Sequence, residues 1–172
     1  VINPKMQNIL NERGFGESEK DTLILNSFET LYLLYNNKLE LKKINKNIVF
    51  DELIQKYIQK NDDILTRFLL YRDLRTKGYV VKDGFGFGSD FRVYEKGTYG
   101  QKDAKFLIFA FNEGTQQKIG KLYKNIHEIT QMGKEPIIAV IERRGEIIYY
   151  KINKMNFLEN KSELEMKDFN FN

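Results

Sequence analysis

The chain is predicted to be an α+β N-terminal domain followed by an α/β C-terminal domain, whose mixed sheet is flanked by helices. Three observations predict this. Short helical stretches alternate with a strand-like one between residues 18 and 62, a helical run from residue 62 leads into strand candidates, and one further helical stretch interrupts those strands. At 172 residues the chain has room for one ordinary domain or two small ones. Polarity rises at Asn61-Asp62-Asp63, which places the boundary at about residue 63 and the domains at 1–63 and 64–172.

Taken in order, Ser27 is the expected cap of a helix from about 28 to 36, closed by Asn36-Asn37. "KLELKKINKNIVF" alternates apolar and charged residues as a half-buried strand does, and "FDELIQKYIQKND" returns to helical spacing. "DDILTRFLLYRDLRTKGY" sets Ile64, Phe68, Leu69 and Leu74 on an apolar side and Arg72, Arg75 and Lys77 on the other, with Gly78 as its stop. Strands follow at "YVVK", "DFRVYE", "KFLIFAF", "IIAVIE" and "EIIYYKI", with a helix from about Gln116 to Met132 between the third and fourth. The polar tail "NKSELEMKDFNFN" reads as a short helix or a frayed end.

Composition excludes several chemistries. The absence of cysteine rules out disulfides and thiolate chemistry, and a single histidine, His127, rules out a histidine metal cluster. No apolar run approaches the ~18 residues that span a bilayer, and no secretory pattern opens "VINPKMQNIL", so a cytoplasmic location without membrane partners is expected. A net charge of +4 is compatible with a nucleic-acid partner.

The stretch "GFGFGSDFRVYEKG", residues 84 to 97, invites two readings. A dinucleotide loop needs its glycines to follow a strand and open a helix, whereas strand-like "SDFRVYE" follows here and Gly84, Gly86 and Gly88 miss the required spacing. The glycines are expected instead to start a strand and to admit another backbone, protein or nucleic acid, at close range. A second pattern joins Asp90 to Asp103 and Lys105, as in metal-dependent restriction nucleases. Two carboxylates there could hold a Mg²⁺ that activates water while Lys105 orients it; the alternative is a set of solvated strand-edge charges.

"YRDLRTKGYVVKDGFGFGSDFRVYEKG" (71 to 97) and "IIAVIERRGEIIYYKI" (137 to 152) resemble the C-terminal domain of the archaeal tRNA-splicing endonucleases, and "SFETLYLLYNNKLEL" resembles their N-terminal domain. The resemblance implies a restriction-endonuclease-like fold and RNA cleavage without metal or cofactor. A ribose 2′-hydroxyl attacks the neighbouring phosphate, leaving a cyclic phosphate and a 5′-hydroxyl. It implies a Tyr base at Tyr94, a Lys at Lys134 and a His acid at a position filled here by Asp103, or by Ala104 if the loop is aligned one residue differently. The family's RNA-stacking arginine falls at or near His127, and Arg92 and Lys151 are further expected RNA contacts. Its acidic loop between the last two strands reads "ERRGE" here, so Arg143 and Arg144 would weaken or redirect docking onto a neighbour. Ile148 and Tyr149 are expected to join subunits. The implied partners are precursor tRNA and a second, related subunit in a dimer or tetramer. Lacking the acid, this chain is expected to be a structural or catalytically impaired subunit, whether the His was lost naturally or substituted.

Overall fold

A computed structural model describes residues 3–43, 46–84 and 86–153. Helix α1 (Pro4–Glu12) comes first, capped by the Asn3 side chain and with Pro4 at its opening position, where a missing N–H costs nothing. A hairpin of β1 (Glu17–Glu19) and β2 (Thr22–Ile24) follows. Helix α2 (Ser27–Tyr35) starts one residue before the predicted position. Its cap is Asn26, whose side chain accepts from the Glu29 N–H while Glu29 accepts from the Asn26 N–H.

The single strand expected over 38–50 is two short ones, β3 (Leu41–Lys43) and β4 (Lys46–Ile48), paired antiparallel. Helix α3 (Phe50–Ile58) leads to α4 (Ile64–Thr76), after which Gly78 takes a left-handed φ of +89° as the helix stop. The five C-terminal strands lie where the alternation predicted: β5 (Val80–Asp83), β6 (Phe91–Tyr94), β7 (Phe106–Asn112), β8 (Glu135–Ile141) and β9 (Ile147–Lys151). They form one sheet in the order β5-β6-β7-β8-β9, antiparallel except for β7 and β8. That parallel pair needs a crossover, which α5 (Ile119–Gln131) supplies. The predicted tail over 160–172 lies outside the described residues.

Alternation along the strands divides the sheet into two faces. Phe91, Val93, Ile108 and Ala139 join the larger core, which continues through α4 into α2 and α1. Leu107 and Phe109 turn the other way and pack beneath Ile129 of α5. The larger core runs across residue 63 without a break. Phe28 of α2 meets Phe91 of β6 edge to face at 5.3 Å, and Tyr32 meets Tyr71 of α4 at 5.9 Å. A buried ion pair adds to this join: the Lys82 ammonium donates to Glu29 Oε1 at 3.1 Å and to the Gly16 carbonyl at 2.7 Å. Helix α4 is buried on more than the predicted side, because α2 packs against it opposite the sheet. Leu70 and Tyr71 are fully buried, and Arg75, expected at the surface, lies with its guanidinium 3.7 Å from the centre of the Phe15 ring.

Candidate active site

Strand register brings the separated residues together. Val93 pairs with Phe106, and Phe106 pairs with Glu135. One step beyond these pairs stand Tyr94, Lys105 and Lys134, in a row across the ends of β6, β7 and β8. The row is held by the Lys105 N–H donating to the Val93 carbonyl (3.1 Å) and the Glu135 N–H donating to the Lys105 carbonyl (2.9 Å).

Lys134 reaches this place because α5 ends just before it. Gly133 turns with a left-handed φ of +71°, and the Lys134 N–H donates back to Ile129. Its ammonium then donates to the Ala104 carbonyl at 2.7 Å. The Lys position and the Asp103-Ala104 position therefore touch, although 30 residues separate them. Tyr94 is half-buried, on the face opposite Phe91 and Val93, and its ring meets that of Tyr99 edge to face at 4.9 Å. Burial pushes the Tyr99 phenol above its ordinary value. Asp103 is exposed, and Ala104 beside it is buried.

Carboxylates stand among these cations. The Lys105 ammonium is 2.9 Å from Glu95 and 3.9 Å from Glu135, and Lys151 donates to the other Glu135 oxygen at 2.8 Å. The hydrogen bond with Glu95 raises the Lys105 pKa, and the same bond lowers that of Glu95. Lys151, expected to contact RNA, is thus paired within the chain. Sequence reasoning missed Glu95, Tyr99 and Glu135. The adjacency of Glu95 to Tyr94 and of Glu135 to Lys134 was the available signal.

The metal-dependent pattern is not assembled. Asp90 lies at the other end of β6 from Tyr94, roughly 13 Å along the strand, whereas Asp103 and Lys105 lie at the Tyr94 end. Its carboxylate is also occupied: Oδ1 lies 3.0 Å from Arg67 Nε, and Oδ2 accepts from the Ala110 N–H at 2.8 Å. The glycines sit at this far end too. A Cβ on Gly84 would fall 1.9 Å from the Ser89 carbonyl oxygen, so the backbone that comes close is that of the same loop.

Of the remaining expected residues, His127 is exposed on α5, parallel to the Tyr123 ring at 6.3 Å and 3.0 Å from Gln131. Arg92 is half-buried on β6 with its Nε enclosed. Arg143 lies in the β8–β9 turn, where its N–H donates to Glu113, and Arg144 beside it is exposed. Tyr149, expected to join subunits, is half-buried. Opposite Ala139 on the inner face, its hydroxyl donates to Asp73 of α4 at 2.5 Å, and burial together with that bond raises its pKa. Ile148 and Tyr150 share the outward face. The alternation in "EIIYYKI" carried this information, because 148 and 150 must share one face and 147 and 149 the other.

The C-terminal half matches the family model described as tRNA intron endonuclease, catalytic C-terminal domain, over residues 64–149, and residues 1–54 match the N-terminal domain of the same family. A protein of Methanococcus maripaludis named tRNA-splicing endonuclease is 33% identical over 144 residues, covering 83% of this chain and 81% of its own. Proteins of the same name from Thermococcus onnurineus and Pyrococcus furiosus are 30% and 28% identical, covering 87% and 84% of this chain and 86% and 84% of their own. Both domains of that family are thus matched in order along the chain. The chain belongs to the tRNA-splicing endonuclease family.

Proposed function

We propose that this chain is a subunit of an assembly that removes introns from precursor tRNA, and that its own site lacks the proton donor. In the reaction implied for the family, the 2′-oxygen bonds to phosphorus and the bond from phosphorus to the 5′-oxygen breaks. The attacking hydroxyl gives up its proton to Tyr94, and Lys134 offsets charge on the crowded phosphorane. The departing 5′-oxygen must gain a proton. The position where the family carries a His falls at Asp103, which is exposed, or at Ala104, whose carbonyl accepts from Lys134.

The observation that carries this reading is the 2.7 Å bond from Lys134 to the Ala104 carbonyl, which brings the Lys and acid positions together at the sheet end that holds Tyr94. Loss of the general acid costs typically 10² to 10⁴ in rate. The chain then serves through RNA surface, including His127, and through assembly contacts at Arg143, Arg144, Ile148 and Tyr149, to which the outward-facing Tyr150 adds, as one member of a dimer or tetramer. A restriction-endonuclease-like C-terminal domain beginning near residue 64, two domains meeting near residue 63 and a cytoplasmic site of action belong to the same proposal.

The test is cleavage of intron-bearing precursor tRNA in EDTA. The chain alone is expected to cut slowly or not at all, and cutting is expected to appear when a related chain with intact Tyr, His and Lys is added. Asp103→His is expected to raise the rate of the isolated chain. Full-rate cutting by the unmodified chain alone in EDTA would sink the proposal.

A further inference from the structure

Three carboxylates stand at this sheet end. Asp103 lies in the Asp103-Ala104 segment, Glu95 follows Tyr94 directly, and Glu135 follows Lys134 directly. Two of these carboxylates are engaged with the site's neighbouring lysines. Glu95 holds the Lys105 ammonium at 2.9 Å, while Glu135 lies between Lys105 at 3.9 Å and Lys151 at 2.8 Å. The four side chains form a line of alternating sign across the ends of β6, β7, β8 and β9.

Strand alternation gives the line its direction. Lys105 stands in the row with Tyr94 and Lys134 and shares their nominal face, whereas Glu135 pairs with Phe106 on the opposite face. The Lys105 ammonium has nevertheless turned over the sheet end, towards Glu95 and Glu135, and lies 5.4 Å from the centre of the Phe106 ring. It points away from the two residues that the proposed function assigns to the reaction.

We infer that Glu95 and Glu135 are positioning residues that determine how strongly this sheet end holds an RNA phosphate, by keeping Lys105 and Lys151 paired within the chain. A phosphodiester approaching Tyr94 and Lys134 must compete for those ammonium groups with carboxylates already in place, and it also meets the negative charge of Asp103. Side-chain exposures of 30 to 51% leave each pair accessible to solvent, so each is individually weak and open to competition. Phosphate binding here is accordingly reduced rather than abolished. The inference rests on the endonuclease reading for its ligand, and it adds that placing an acid at Asp103 leaves these pairs as they are.

The experiment measures binding of a labelled single-stranded RNA oligonucleotide to the full chain over a range of salt concentrations. Glu95→Gln/Glu135→Gln is expected to tighten binding several-fold at low salt. It is also expected to steepen the plot of log affinity against log salt by about 1.4, roughly 0.7 for each lysine released to a phosphate. Glu12→Gln/Glu19→Gln, which changes net charge equally at exposed positions on α1 and β1, is expected to leave the slope unchanged. In a Lys105→Ala/Lys151→Ala background the gain from the Gln pair is expected to vanish. An unchanged slope, a gain that survives loss of both lysines, or no RNA binding by any variant would each overturn the inference. The endonuclease reading is judged separately, by whether precursor tRNA is cut when the second chain is added.

Discussion

Asp90, just before β6, and Tyr94, at its far end, are four residues apart and chemically opposite. At the Asp90 end, each strong group has a partner within the fold. Asp90 meets Arg67 and the Ala110 N–H, the Arg67 guanidinium lies over the Phe28 ring at 4.9 Å, and the Gly84 N–H donates to the Asp90 carbonyl. At the Tyr94 end, the tyrosine is half-buried, Asp103 is exposed, and the lysines are held by solvent-accessible carboxylates or a carbonyl. Polar groups that satisfy one another within the fold are architecture, while solvent-accessible groups are free for a ligand. The glycine-rich stretch that draws attention in the sequence belongs to the first kind.

The largest expected effect that tests this contrast is at Gly84. Gly84→Ala forces a Cβ against the Ser89 carbonyl, 1.9 Å away, and is expected to cost about 3 kcal/mol in urea unfolding, at the upper end of ordinary overpacking. Next is Arg67→Met. It leaves the Asp90 carboxylate without its cation, but both side chains keep about a quarter of their exposure (27% and 24%), so the expected loss is about 1–2 kcal/mol, below that of a fully buried pair. An unfolding midpoint equal to wild type in either variant would break the contrast.

A pH prediction sharpens it. Burial raises the Asp90 pKa above the ordinary carboxylate value, with the Ala110 N–H and Arg67 opposing and Asp63 adding to the rise. The fold then binds this proton more tightly than the unfolded chain does. This group's contribution to stability grows as pH falls from the raised value towards the ordinary one, and it is least favourable above the raised value. Asp90→Asn removes that component, so the variant is expected to gain less stability than wild type as pH falls from neutrality to the ordinary carboxylate range of about pH 4 in parallel urea titrations. Identical gains would assign the acid-side change to other groups. The smallest effect is expected at the open end: Tyr94→Phe should change stability by less than about 0.5 kcal/mol, read from the unfolding midpoint.

Much of the fold was legible because its signals are local. Apolar alternation located all five strands of the C-terminal sheet, helical spacing located α4 and α5, and Gly78 marked a helix end. The elements missed were short or poor in apolar residues. Helix α1 and the β1–β2 hairpin carry few apolar residues, and β3 and β4 have three residues each, too few for a period to distinguish two strands from one. Tyr94, Lys134 and the Asp103-Ala104 position were legible as candidates only through family resemblance, since a tyrosine at a strand end and a surface lysine have no local signature.

The sequence by itself determined the order of elements from α4 to β9, the absence of thiol and histidine-cluster chemistry, and the family. Only the tertiary structure decided which residues share a neighbourhood. Pairing register brought Lys134 to Ala104 and left Asp90 a strand's length from Asp103. Strand alternation, once one face was buried against α4, turned Tyr149 inward and Tyr150 outward. Such choices depend on contacts between residues tens of positions apart, and a local pattern fixes a segment's period without fixing its partner.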